Sequence, residues 1–139
     1  MITGFLHFEI TTQDADRALA FYRDHFGMRL LSDRVVEPGG YVEKVVGIPG
    51  ARVRIVHLQG YGFNFEILQY LEPGGEARAR GPNDAGSAHL CFVSDDLDSD
   101  FERLVAAGVR IRSTGDRNRP AAPTTAARPC TSRIRTATR

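Results

Sequence analysis

An internal repeat constrains the fold of this chain more than any other feature of its sequence. Near the start, a short apolar segment opening at His7 is followed by a helical stripe of apolar residues and then by Gly27. The same order returns later, where His89 opens an apolar segment and Gly108 follows a second stripe. Such a repeat indicates two copies of one strand-helix unit that pack on each other. A chain of 139 residues is long enough for one ordinary domain built from both copies.

The first copy predicts the element order β-α-β-β-β. Short apolar runs indicate the strands. The main helix is indicated by an apolar stripe that follows Thr12 and Asp14, and either of these residues can cap the start of a helix. The glycines at 60 and 62 indicate a hairpin between the last two strands. The predicted strands cover 5–10, 28–36, 52–58 and 63–70, and the predicted helices cover 15–26 and 41–46.

The second copy is incomplete. We divide the chain into a first βαβββ module (1–72), a linker (73–86), the start of a second module (87–112) and a tail rich in Arg, Pro, Ala and Thr (113–139). The tail offers one large aliphatic residue, Ile134, and is therefore predicted to be disordered. A frameshift is a second explanation. DNA that could encode residues 129–137, read one base earlier, can give Ala-Val-Tyr-Leu-Pro-Asp-Pro-Asp-Gly, which has the pattern of a strand and a turn.

Charge and hydropathy narrow the class of partner. Up to Val109 the chain has 10 Lys and Arg against 16 Asp and Glu, and the remainder has 8 Arg against one Asp. The basic remainder has no Lys and no aromatic residue, unlike a typical nucleic-acid-binding arm. Neither a membrane-spanning run nor a signal-peptide pattern is found. We expect a cytoplasmic protein that acts on a small molecule, without nucleic-acid or membrane partners. Because an unfinished module exposes strand edges, we also expect a homodimer.

Three residues form the candidate metal site. His7 and His89 hold equivalent places in the two copies, and Glu66 lies between two large apolar residues of a predicted strand. A carboxylate there is costly unless it is paired or binds a metal. Two imidazoles and a carboxylate suit zinc, nickel, iron or manganese. Each residue alone could be an ordinary hydrogen-bonded or solvated side chain, so the repeated frame is what favours a site.

Two neighbouring residues are weaker candidates. Glu9 shares strand parity with His7 and could reach the same cavity, although surface exposure is the stronger expectation. His57 ends a predicted strand and could face either the cavity or solvent, and we favour solvent.

The pattern resembles the vicinal oxygen chelate superfamily, which includes glyoxalases, epimerases, extradiol dioxygenases and bleomycin-resistance proteins. The resemblance spans residues 5–112 and is strongest over 7–30, 65–68 and 88–90. It implies a glyoxalase-like α+β fold of paired βαβββ modules around a divalent metal, with the second module truncated here. It also implies His7, Glu66 and His89 as metal ligands. The fourth ligand of the family, a carboxylate on the last strand, has no match in this chain.

The function implied by the resemblance is that of a metal-dependent lyase or isomerase acting on a small substrate with two adjacent oxygens. The metal would act as a Lewis acid while a nearby carboxylate moves a proton, and no residue is assigned to that catalytic step. Two alternatives stay open. The same ligands could hold iron(II) in an extradiol dioxygenase, or the protein could bind a small molecule without metal, as bleomycin-resistance proteins do. The missing fourth ligand favours metal-free binding, and the three ligands present favour the metal enzyme.

Overall fold

The computed structural model describes residues 1–77, 81–111 and 133–136. The described residues divide into two compact units, one of residues 1–77 and one of residues 81–111 with 133–136. Helices and strands are mixed in an α+β fold, as predicted. No helix in the described ranges is long and apolar enough to cross a membrane.

The first unit contains a four-stranded sheet and confirms the predicted β-α-β-β-β order. Its elements are β1 (His7–Thr11), α1 (Ala15–Ala20), a π-helical turn (Phe21–His25), β2 (Arg29–Val36), α2 (Tyr41–Val46), β3 (Arg52–Gly60) and β4 (Phe63–Glu72). The strand order across the sheet is β1-β4-β3-β2. β1 runs parallel to β4, whereas β2 pairs antiparallel with β3 and β3 pairs antiparallel with β4. The N-terminal strand therefore lies beside the last strand of the same module.

Local signals in the sequence set the ends of the first helix. The Asp14 side chain accepts a hydrogen bond of 2.9 Å from the backbone N–H of Arg17, which satisfies one of the free amides at the start of α1. Gly27 has φ of 62°, a left-handed conformation that glycine adopts at low cost, and it ends the helical segment. The segment was predicted as one α-helix, but it changes to a π-helical turn at Phe21. In this wider turn the Phe21 ring contacts the rings of Tyr22 and Phe26, and these contacts favour the turn.

Aromatic packing defines one face of the sheet. Phe65 is completely buried, with its ring centroid 4.6 Å from that of Tyr22 and 6.2 Å from that of Phe8. Burying such a ring contributes about 2–3 kcal/mol. Because side chains alternate along a strand, Asn64 and Glu66 on either side of Phe65 point to the opposite face.

The opposite face is apolar at one end, where α2 packs on the sheet. Its buried cluster consists of Val42, Ala51, Val53, Ile55 and Leu68. His57 follows Ile55 by two positions in β3, and Glu66 precedes Leu68 by two positions in β4. The apolar cluster therefore continues directly into polar residues on the same face.

The second unit is described by three elements. They are β5 (Leu90–Val93), α3 (Leu97–Ala106) and β6 (Arg133–Thr136), and β6 pairs antiparallel with β5. The Asp96 side chain caps α3 by accepting a hydrogen bond of 3.0 Å from the Ser99 backbone N–H, as expected for the repeat. Residues 133–136 form β6, and the rest of the tail predicted to be disordered (113–139) lies outside the described residues.

Candidate metal centre

A carboxylate held by two imidazoles lies on the sheet face opposite α1. Glu66 Oε2 is 3.0 Å from His7 Nε2, and Glu66 Oε1 is 3.0 Å from His57 Nε2. The Glu66 side chain is only 10% exposed, against 33% for His7 and 28% for His57. In the part of the chain that the structure describes, no Lys or Arg forms an ion pair with Glu66. The two histidines therefore supply the partners that a nearly buried carboxylate requires.

Strand register explains why these residues meet. Glu66 in β4 lies directly opposite His57 in β3 and Glu9 in β1, and His57 lies opposite Ser32 in β2. Side chains at paired positions project from the same face and are neighbours. Glu9, Glu66, His57 and Ser32 thus form one line across all four strands, which we call the polar row. His7, two positions before Glu9 in β1, lies beside this row on the same face.

Hydrogen bonds connect the inner members of the polar row. Ser32 Oγ is 2.8 Å from His57 Nδ1, so the imidazole is bonded at both nitrogens, to a hydroxyl and to a carboxylate. When His57 is neutral and donates its Nε2–H to Glu66, Nδ1 is an acceptor and Ser32 donates its hydroxyl hydrogen. This arrangement selects one tautomer of His57.

Glu9 brings a second carboxylate to the cluster. One ligand atom each from His7, Glu9 and Glu66 can be chosen so that all three atoms lie within 4.8 Å of one another. Although the Glu9 residue as a whole is exposed, burial of its carboxyl group raises its pKa, as does the nearby charge of Glu66. His7 and a hydrogen bond from Thr11 act in the opposite direction on this pKa, with smaller effects.

A second line of polar side chains holds the N-terminal end of β1. Arg29 donates to Gln59 Oε1 at 2.7 Å, Gln59 donates to Asn64 Oδ1 at 3.2 Å, and Asn64 donates to the Leu6 carbonyl at 3.3 Å. Asn64 is also the register partner of His7. The residue before His7 is thereby tied to β4, which positions His7 over Glu66.

The donor atoms present fit a divalent metal. Two ligands about 2.1 Å from one ion lie about 3.0–3.4 Å apart, at angles between a right angle and the tetrahedral angle. The separation of 3.0 Å between His7 Nε2 and Glu66 Oε2 is that of a hydrogen bond and lies at the short end of this range. Imidazole nitrogen and carboxylate oxygen are donors that zinc, nickel, iron and manganese all accept.

The structure brings together two of the three predicted ligands, His7 and Glu66. His89 lies in the second unit as an exposed residue directly before β5, and its role as the third ligand stays a prediction. The prediction that His57 faces solvent was wrong, because its side chain bonds to Glu66. The hairpin contained the signal that was missed. A two-residue turn at positions 61 and 62 pairs Gly60 with Phe63, and the third pair beyond that one is His57 with Glu66.

Comparison with known proteins establishes the family. The family model of the Glyoxalase/Bleomycin resistance protein/Dioxygenase superfamily matches residues 4–122. The chain therefore belongs to this superfamily, as the sequence motifs predicted. Among curated proteins it is similar to an ethylmalonyl-CoA/methylmalonyl-CoA epimerase from Cereibacter sphaeroides, with 23% identity over 116 residues that cover 84% of this chain and 79% of the epimerase.

Solved structures support the same fold. A glyoxalase family protein from Bacillus cereus superposes with a TM-score of 0.67 and 23% identity, covering 78% of this chain and 74% of that protein. The protein SMU.1112c superposes with a TM-score of 0.57 and 18% identity, and the match covers 81% of this chain and 80% of SMU.1112c. At these identities the likeness shows the glyoxalase fold alone.

Proposed function

We propose that this protein is a metal-dependent isomerase or lyase of the superfamily, and that it moves a proton on a small substrate with two adjacent oxygens. The observation that carries the proposal is the nearly buried Glu66 carboxylate, with a histidine on each oxygen and no described Lys or Arg as ion-pair partner. Similarity to an epimerase favours isomerisation over the other reactions of the superfamily.

Each residue of the cluster has a proposed role. His7, Glu66 and His89 hold the metal, and their donor atoms suit zinc, nickel, iron or manganese. When bound, a divalent metal supplies Lewis-acid stabilisation of negative charge that develops on the substrate oxygens. Glu9 lies near His7 and Glu66 on the same sheet face, and we assign its carboxylate the role of accepting and returning the substrate proton.

A second candidate function is metal-free binding of a small molecule. It is favoured by one observation: Asp116 is the single Asp or Glu in the tail (113–139), and no residue there matches the family's last ligand. This candidate predicts ligand binding that is unaffected by chelators.

Metal analysis separates the two functions. The protein is purified without chelator, its metal content is measured by mass spectrometry, and Co²⁺ and Zn²⁺ are titrated into the metal-free form. We expect one site per chain in the wild type and its loss in Glu66→Gln, which keeps the size of the side chain. The control is Glu102→Gln, because Glu102 lies in α3 and is exposed. Absence of metal and of titratable binding in the wild type would support the metal-free candidate.

Proton transfer is tested directly by hydrogen exchange. Methylmalonyl-CoA and ethylmalonyl-CoA, the compounds in the name of the similar epimerase, are incubated with metal-loaded protein in D₂O, and loss of the α-proton is followed by NMR. We expect exchange in the wild type, and in Glu9→Gln we expect greatly slowed exchange with metal still bound. Metal binding without exchange on either compound would point to another substrate with two adjacent oxygens.

We further propose that the protein is a homodimer. β1 and β2 are the edges of the described four-stranded sheet, and exposed large apolar side chains include Phe5 and Leu6 next to the β1 edge. Free edges and apolar surface favour association. Light scattering coupled to size exclusion should give twice the mass of the chain, and a monodisperse monomer would contradict the proposal.

A further inference from the structure

We propose that Ser32 and His57 are positioning residues that fix the Glu66 carboxylate for metal binding. In this arrangement Ser32 holds His57, His57 holds one oxygen of Glu66, and the second oxygen of Glu66 faces His7. The inference rests on the proposed function, since it assigns a purpose to the contacts around a proposed ligand. It adds two residues that neither the sequence motifs nor the similarity to known proteins assigns.

An irregularity in β2 places Ser32 in this arrangement. Leu30 pairs with Leu58, and the next pair is Ser32 with His57, so Leu31 is an extra residue that forms a β-bulge. Had the pairing of β2 continued regularly after Leu30, Leu31 would lie opposite His57. The bulge therefore brings a hydroxyl opposite the imidazole in place of an apolar side chain. Bulges are frequent next to functional sites, where they redirect a side chain.

The chemistry of imidazole gives the Ser32 contact a consequence for Glu66. A neutral imidazole has one N–H, and because a carboxylate can only accept, the contact with Glu66 fixes that hydrogen on Nε2. The Nε2–H then points at Glu66 Oε1, at a distance of 3.0 Å, and Nδ1 accepts from the Ser32 hydroxyl at 2.8 Å. Without Ser32 the imidazole loses one of the two contacts that orient it, and its Nε2–H is held less firmly on Glu66.

Glu66 depends on such a partner because its surroundings supply few others. Its side chain is 10% exposed, so water has little access to it. A metal occupying the space between His7 and Glu66 would use Oε2, which leaves Oε1 to be satisfied by His57 alone among the described side-chain contacts. Partners that orient a metal ligand typically change metal affinity by about 10–100-fold when they are removed.

The test compares two pairs of variants in the full-length protein. His57→Phe removes the hydrogen bond to Glu66, and His57→Gln restores a side-chain N–H at that place. Ser32→Ala removes the hydroxyl, and Ser32→Thr restores it. His25→Gln and Ser99→Ala serve as matched controls, because they lie in the π-helical turn and in α3, outside the cluster. Glu66→Gln gives the reference value for a protein that has lost the carboxylate ligand.

Two readouts are measured for each protein. The first is Co²⁺ affinity, from calorimetry and the visible absorption spectrum. The second is the ¹⁵N spectrum of the imidazoles at mildly alkaline pH without metal, which identifies the His57 tautomer. We expect His57→Phe to weaken Co²⁺ binding about 10–100-fold and Ser32→Ala to weaken it less, with His57→Gln and Ser32→Thr recovering most of each loss. His57 should carry its hydrogen on Nε2 in the wild type and in Ser32→Ala, and the Nδ1 resonance should shift in Ser32→Ala because the hydrogen bond from the hydroxyl is lost.

Several outcomes overturn the inference. A folded His57→Phe protein with wild-type Co²⁺ affinity and spectrum would do so, provided that Glu66→Gln loses binding, and this result would leave the proposed function intact. If His57→Phe does not fold, equal affinities of Ser32→Ala and Ser32→Thr decide against the inference. A wild-type His57 with its hydrogen on Nδ1 also contradicts it. Failure of the wild type to bind Co²⁺ would overturn the proposed function, and the inference with it.

Discussion

The substitution Glu66→Leu tests whether Glu66 serves metal binding or the stability of the fold. In the metal-free protein the substitution removes two hydrogen bonds to imidazole, each contributing on the order of 1 kcal/mol. It also removes the cost of holding a carboxylate that is 10% exposed, and it buries an apolar side chain next to Leu68. Replacing a whole buried ion pair by apolar residues is often neutral or stabilising by about 1–4 kcal/mol. The two imidazoles that Glu66→Leu leaves behind are 33% and 28% exposed, so they can bond to water instead of to Glu66. We therefore expect Glu66→Leu to leave the free energy of unfolding without metal unchanged or higher.

Metal should stabilise the wild type but not Glu66→Leu. At a free concentration about 100 times its dissociation constant, a metal that binds only the native state raises the free energy of unfolding by about 2.7 kcal/mol. The wild type should gain this amount, and Glu66→Leu should gain almost nothing. Urea unfolding of both proteins, with chelator and with Zn²⁺, measures all four values. A loss of about 3 kcal/mol or more in Glu66→Leu under chelator, together with no effect of Zn²⁺ on the wild type, would refute the reasoning and make Glu66 a structural residue.

Three other expectations concern stability and the tail. Gly27→Ala should lower the free energy of unfolding by about 1–2 kcal/mol in urea unfolding, because φ of 62° strains any residue with a Cβ, whereas Gly4→Ala should have little effect. A hydrogen bond from Arg54 holds the pKa of Asp33 below its usual value, so their ion pair stabilises the fold at neutral pH and is lost as the pH falls through that lowered pKa. Asp33→Asn should thus be less stable than the wild type at about pH 7, with the difference shrinking as the pH falls through the lowered pKa of Asp33. If the frameshift hypothesis for 113–139 is right, the frame-restored chain should bind Zn²⁺ more tightly and melt at higher temperature, and equal values for both chains would rule it out.

Local signals made the elements of the first module predictable from sequence. Asp14 and Gly27 mark the ends of the first helical segment because a cap and a left-handed stop depend only on nearby backbone. Glu66 attracted attention for a similarly local reason, since a carboxylate between two apolar strand residues needs a partner. His7 followed from the repeat. The prediction of a π-helical turn was out of reach, because it depends on how aromatic rings pack around Phe21.

The partners of Glu66 depended on register, which is a property of strand pairs. His57 could have been found from the tight hairpin, because the turn fixes every later pair of β3 and β4. Ser32 could not have been found in the same way. The bulge at Leu31 shifts the pairing register of β2 with β3 by one residue. No glycine or turn residue in β2 marks its position in the sequence. Sequence reasoning thus reached the candidate ligands His7 and Glu66 and missed the two side chains that extend their cluster, His57 and Ser32.

The parallel pairing of β1 with β4 sets the order in which the cluster can be assembled and lost. His57 and Glu66 are nine positions apart and meet when one hairpin closes, whereas His7 and Glu66 are 59 positions apart (66 − 7) and meet only when the N-terminal strand docks. Contacts between distant positions cost more chain entropy to form and tend to form late. β1 is also an edge strand, so it can detach without opening the hairpin. If a metal binds His7 and Glu66 as proposed, it would fasten the start of the chain to the sheet, and detachment of β1 would release the metal before the rest of the first module unfolds.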